Sequence, residues 1–194
     1  MKANAAARPA DRRKLILYVT LAVVVLGIVV AVGMASRVPK AATEVAHQAH
    51  LKIGQQAPEF AVSTTAGAFD LATAQTPVFL EVFATWCPHC QREVTVLNAL
   101  SKQYGSRISF VGVSGSALGM DGNTPESQAD VVAFAQQYGV AYPVAYDPEL
   151  KVANQYMQTG FPTIVVIKKD KTISAIRDGE IPKALLEKDI LGAL

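Results

Sequence analysis

Pro77-Val78-Phe79-Leu80-Glu81-Val82-Phe83 is a run of β-branched and aromatic residues broken by one carboxylate, and both cysteines of the chain follow it within seven residues. So continuous an apolar run suggests a strand covered on both faces, as in a parallel sheet flanked by helices. Directly after it comes Trp86-Cys87-Pro88-His89-Cys90. Val94, Leu97, Leu100 and Tyr104 then recur at helical spacing, with Gly105 where a C′ glycine is expected.

Around this unit the sequence alternates between the two periods. Phe60–Leu71 reads as a hairpin turning at Thr65-Ala66-Gly67-Ala68, and Ile108–Ser114 as a second buried strand. Gly115–Asn123 is a loop. Thr124-Pro125-Glu126 offers a cap, a first-turn proline and a first-turn acid for a helix carrying Val131, Phe134 and Tyr138 and ending at Gly139. A strand over Tyr142–Tyr146 and a short helix from near Asp147-Pro148 come next. Thr163–Ile167 and Thr172–Ile176 read as antiparallel strands, and Pro182–Leu194 as a closing helix with Leu185, Leu186 and Ile190 inward. The expected architecture is an α/β three-layer sandwich.

The 194 residues exceed what this domain needs. Leu15–Ser36 contains no ionisable side chain except Tyr18, and as a helix it would be roughly 33 Å long, enough for a hydrocarbon core of about 30 Å. We expect a transmembrane anchor there; a cleaved secretory signal is the alternative, although its apolar core usually runs only about 7–15 residues. Arg8, Arg12, Arg13 and Lys14 precede the segment and place the N-terminus in the cytoplasm by the positive-inside bias. The expected divisions are a basic tail (1–14), an anchor (15–36), a linker (37–51) and an extracytoplasmic catalytic domain (52–194). His47 and His50 in the linker are spaced to share a helix face, but no third metal ligand lies near them. Beyond residue 14 the chain carries 13 basic and 15 acidic residues out of totals of 18 and 16, so no basic stripe supports nucleic-acid binding.

The chemistry concentrates at the cysteines. A thiol with a reference pKa of about 8.5 is a poor nucleophile near neutrality, whereas the free amides and partial positive charge of a helix N-terminus favour thiolate. Cys87 is therefore the expected nucleophile. Pro88 suits the first turn, and Cys90, three residues along, can close a disulfide with Cys87. His89 adds a donor or positive charge beside the sulfur, which would stabilise the reduced form and make the disulfide more oxidising. Zinc would need ligands that the chain does not cluster, and a static bridge closing so small a loop would restrain the unfolded chain little. We expect no metal and no cofactor beyond the redox-active disulfide.

Three segments together resemble the thioredoxin superfamily, specifically its membrane-tethered extracytoplasmic TlpA/ResA/CcmG-like thiol–disulfide oxidoreductases: Ile53-Gly54-Gln55-Gln56-Ala57-Pro58-Glu59-Phe60, Phe83-Ala84-Thr85-Trp86-Cys87-Pro88-His89-Cys90 with Glu93, and Gly160-Phe161-Pro162-Thr163. The resemblance implies a thioredoxin-like fold with a central mixed sheet over residues 52–194. It also implies a cis Pro162 facing the cysteines and a Phe161 backbone that receives an extended substrate. Glu93 matches an acidic position that tunes the cysteines in that family, or else is a surface carboxylate. Glu81 stands where thioredoxins bury an aspartate that exchanges a proton with the deeper thiol, or else turns to solvent. Trp86 either shields the site or is a core aromatic. Implied partners are exported proteins with cysteine pairs, such as apocytochromes c or copper-site proteins, and a membrane thiol-electron transporter.

The Pro-His dipeptide is that of strongly oxidising DsbA-like proteins, yet only one helix fits between Gly115 and Tyr142, with no room for a DsbA-like insertion. Architecture and dipeptide thus point in opposite redox directions. A peroxiredoxin-like peroxidase would want a proline and a hydroxyl residue where Leu80 and Ala84 stand. A copper carrier of this fold would want a histidine downstream of His89, and there is none.

Overall fold

The computed structural model describes residues 16–26 and 51–194. The first stretch is helical (α1). Among the described residues no helix is long and apolar enough to cross a membrane; most of the anchor expected over 15–36, and the linker histidines His47 and His50, lie outside them. The compact unit that ends at Leu194 carries the sheet and both cysteines.

Its elements run β1 (Ala61–Thr64), β2 (Gly67–Asp70), β3 (Val78–Phe83), α2 (Pro88–Tyr104), β4 (Ser109–Ser114), α3 (Gln128–Tyr138), β5 (Val144–Tyr146), α4 (Lys151–Tyr156), β6 (Thr163–Ile167), β7 (Ile173–Asp178) and α5 (Lys183–Ala193). They form a seven-stranded mixed sheet ordered β2-β1-β5-β4-β3-β6-β7. Strands β3, β4 and β5 are parallel, while β6 pairs antiparallel with both β3 and β7. All six residues of β3 are buried, as its apolar run requires. Because side chains alternate along a strand, Phe79, Glu81 and Phe83 face one side and Val78, Leu80 and Val82 the other. Phe79 and Phe83 pack with Cys90, Val94 and Leu97 of α2, Phe134 of α3 and Leu186 and Ile190 of α5. Val78, Leu80 and Val82 pack with Val152 and Tyr156 of α4 and with Phe60 and Leu71 near the hairpin. These are the three expected layers, and they place Glu81 on the same side of the sheet as the cysteines.

Three local expectations need correcting. The helix predicted from Thr124-Pro125-Glu126 starts later, at Gln128, with Ser127 as its cap. The Ser127 side chain accepts the Asp130 amide and the Asp130 carboxylate accepts the Ser127 amide, a reciprocal box that satisfies two free donors. Gly105 does not leave α2 through the left-handed region: its φ is −60° and its amide donates to Ser101 O, continuing the helical bond pattern. A Cβ at Gly105 would stand 2.6 Å from that carbonyl oxygen, so close approach calls for glycine there. In α5, Leu186 and Ile190 are buried together with Ala193, whereas Leu185 is only half-buried.

Candidate active site

The chain leaves β3 through a turn at 84–87 that is tied at two points. Cys87 N–H donates to Ala84 O at 3.1 Å, and the Gln91 side-chain amide donates to Thr85 O at 3.1 Å. Cys87 is the N-cap of α2 with extended backbone, Pro88 opens the helix, and no side chain caps it. The first-turn amides therefore keep donor capacity and a partial positive charge at the nucleophile's position. Both thiols are free. Cys90 shares a hydrogen bond with the Cys87 side chain and takes another from the Ala84 backbone, so the two sulfurs are neighbours. Cys90 is fully buried, and Cys87 shows only 4% of its surface.

Opposite the dithiol lies the start of β6. The Phe161–Pro162 bond is cis, as the resemblance implies, and the Cys87 thiol donates to Phe161 O at 3.7 Å. Trp86 meets Phe161 edge to face, with ring centroids 6.1 Å apart, and its indole N–H donates to Ser116 Oγ at 2.8 Å. At 37% exposure Trp86 is a rim residue beside the sulfur and not a core aromatic.

Behind Cys90 the structure buries both sequence-predicted carboxylates, which removes the solvent-facing alternatives for Glu81 and Glu93. Burial pushes Glu81 up from 4.5 to about 8; the Glu93 charge adds to this, and the Tyr142 hydroxyl, donating to Glu81 Oε2 at 2.8 Å, opposes it. Burial likewise pushes Glu93 up to about 7, against the Ile181 backbone N–H that donates to it. Glu93 Oε1 has no hydrogen-bond partner. The Cys90 thiol is held well above the ordinary thiol range, first by burial and then by the Glu81 charge. The pair is thus asymmetric, with Cys87 at the helix terminus and Cys90 kept protonated among carboxyl groups.

His89, expected to add a donor or positive charge beside the sulfur, has charged partners of its own. Its Nδ1 lies 2.8 Å from Glu180 Oε2 and 2.8 Å from an Arg92 terminal nitrogen. Pro88 is exposed at the first helical position. Three residues emerge from the structure alone: Tyr142, Glu180 and Glu126. Glu126, read from sequence as a helix-start acid, is buried, accepts hydrogen bonds from Thr85 Oγ1 (3.0 Å) and Ser114 Oγ (2.7 Å), and is pushed up to about 7 by burial. Its only sequence signal is negative, because Ser127 and Asp130 form a better cap one residue later. Among the described residues no group of three or more His, Cys, Asp or Glu side chains could hold a metal ion.

A thioredoxin-like α/β fold with a free dithiol at the end of a buried strand, facing a cis-proline, defines a thiol–disulfide oxidoreductase. Residues 53–176 match the AhpC/TSA family, and the chain belongs to that family. It is 33% identical over 139 residues to the thiol-disulfide oxidoreductase ResA of Bacillus thuringiensis (strain Al Hakam), covering 71% of this chain and 76% of that one. It is 28% identical over 139 residues to the thioredoxin-like protein YneN of Bacillus subtilis (strain 168), covering 71% and 78%. A thiol:disulfide interchange protein of the thioredoxin family from Chlorobium tepidum TLS superimposes with a TM-score of 0.56 at 28% identity, covering 74% of this chain and 98% of that one. StoA from Bacillus subtilis shares the fold, with a TM-score of 0.57 at 17% identity over 68% of this chain and 96% of that one.

Proposed function

We propose that the chain is a membrane-anchored, extracytoplasmic reductase of protein disulfides. In this reading residues 15–36 span the membrane, residues 1–14 stay in the cytoplasm, and the domain from residue 52 faces outward. The uninterrupted apolar length and the basic residues before it support that orientation. Substrates are exported proteins with cysteine pairs, apocytochromes c among them, and electrons return through a membrane thiol transporter.

The observation that carries the chemistry is the asymmetry of the dithiol. Cys87 thiolate attacks one sulfur of a substrate disulfide; a mixed disulfide forms and the other substrate sulfur leaves as thiolate and takes a proton. The Phe161 backbone and Pro162 receive the extended substrate, and Trp86, Pro88 and His89 flank it. Cys90, deprotonated with help from Glu81, then attacks Cys87 Sγ, closing the Cys87–Cys90 disulfide and releasing the second substrate thiol. The substrate has gained two electrons and two protons, and the enzyme has lost them. A carboxyl group raised to about 8 takes such a proton in its ionised form, which grows as pH approaches that value, and later returns it; Glu93 tunes that exchange. The reverse direction is that of a DsbA-like oxidase; α3 as the one helix between β4 and β5 favours the reductase family. Leu80 and Ala84, which stand where a peroxidase would place its proline and hydroxyl residue, disfavour peroxide chemistry.

Reduction of insulin disulfides by the full chain tests the assignment. Cys87→Ala should abolish it, and Cys90→Ala should accumulate a mixed disulfide; activity persisting in Cys87→Ala would overturn it.

A further inference from the structure

The first turns of α2 gather positive charge. The helix terminus has no acidic residue in its first turn, and His89 and Arg92, three residues apart, stand on one face of it. The Arg92 charge reaches the Cys87 sulfur. Left alone, this arrangement would favour the Cys87 thiolate and hence the reduced dithiol.

The loop after β7 opposes it. Glu180 takes Arg92 Nε on Oε1 at 3.0 Å and an Arg92 terminal nitrogen on Oε2 at 2.6 Å, a two-point fork, while Oε2 also lies 2.8 Å from His89 Nδ1. The loop is pinned to the active site because Gly179 N–H donates to the carbonyl of the cis-proline, Pro162 O, at 2.8 Å. Glu180 and His89 line one cleft of about 370 Å³ together with Phe161, whose carbonyl accepts from Cys87. We propose that Glu180 is a positioning residue that sets the redox poise of the Cys87–Cys90 couple by cancelling the cationic charge that Arg92 would otherwise bring to the reactive sulfur, with His89 as a polar partner of both. The same residue reconciles a Pro-His dipeptide with a reductase architecture. Its hydrogen bonds with Arg92 and His89 hold the Glu180 carboxyl down at about 2, so the negative charge is constant through the neutral range. Two other carboxyl groups lie nearby: Glu93 takes Ile181 N–H and is itself raised in part by the Glu180 charge, and Asp178 accepts from Thr163 Oγ1 at 2.7 Å.

This inference rests on the dithiol being the working couple. Reduction of the disulfide takes two electrons and one proton when Cys87 is released as thiolate and Cys90 as thiol; in the test two glutathione molecules supply them, pass their second proton to the buffer and become one glutathione disulfide. We would measure that equilibrium for the full chain at pH 7 in low and high salt, for the wild type, Glu180→Gln, Arg92→Gln and the double variant. Glu180→Gln should shift it at least threefold toward the dithiol, a potential about 14 mV more oxidising, and the Cys87 thiolate absorbance should titrate at lower pH. Arg92→Gln should shift it the other way, the double variant should return to within twofold of wild type, and salt should shrink both single shifts. A smaller or opposite shift in Glu180→Gln, or a double variant that does not return, overturns the inference. A wild type with no couple reducible by glutathione fails the proposed function itself, whereas a working couple indifferent to Glu180 fails this inference alone.

Discussion

Glu81 offers a sharp test of the site's electrostatics, because its proton is bound more tightly in the folded protein than in the unfolded chain. Its carboxyl titrates near 4.5 when solvated and is pushed up to about 8 by burial. Between those values the native state holds a proton that the unfolded state has lost, so stability falls as pH rises through the window and levels off above about 8. At about 1.4 kcal/mol per pH unit, the span from 4.5 to about 8 sets a ceiling of about 5 kcal/mol. About 4 kcal/mol of that falls between pH 5 and 8.5 when the two titrations are integrated. Glu81→Gln keeps an acceptor for the Tyr142 hydroxyl but has no charge to bury. The variant's stability relative to wild type should therefore improve by about 4 kcal/mol from pH 5 to pH 8.5. Urea unfolding of the reduced protein, followed by Trp86, the one tryptophan of the chain, measures this directly. Staying below pH 9 keeps Cys90, whose raised thiol would add a further decline, out of the comparison. A difference constant to within about 1 kcal/mol over that range would refute the reasoning, since a purely structural role for the carboxylate predicts no such slope.

Because Glu93 is itself raised to about 7 by burial and its charge adds to the upward push on Glu81, Glu93→Gln should shallow the wild-type slope without abolishing it, read in the same unfolding series. Gly105→Ala should destabilise the domain by about 1–3 kcal/mol, since the new methyl would meet Ser101 O at 2.6 Å; thermal unfolding checks it. Ser127→Ala removes one side of the α3 capping box and should cost about 1 kcal/mol, again by unfolding, with insulin reduction unchanged. Thr85→Val deprives the buried Glu126 of one of its two hydroxyl donors, so its carboxyl should titrate still higher, measurable by carboxyl infrared absorption across pH 5–9.

The features that could be read from sequence depend on neighbours a few residues apart, and those that could not depend on distant ones. The apolar run of β3 announces two-sided burial by itself, and the placement of Cys87 at a helix start comes from strand, proline and helical periodicity lying in succession. The same run leaves Glu81 open between burial and solvent, and gives no sign of its partner: Tyr142 lies 61 positions away and meets it only because β5 adds to the sheet beyond β4. Glu126 shows how local and distant signals can conflict. Thr-Pro-Glu imitates a helix start, yet Thr85, 41 residues earlier, and Ser114 draw the carboxylate inward, and the helix begins after it on Ser127. Glu180 is the extreme case, an unremarkable loop glutamate in sequence that the fold sets against His89 and Arg92, 91 and 88 positions earlier. The motif between two cysteines is therefore an incomplete guide to redox direction. The charge that acts on the reactive sulfur is the sum over every element packed around the helix terminus, and here a loop on the far side of the chain supplies the opposing term.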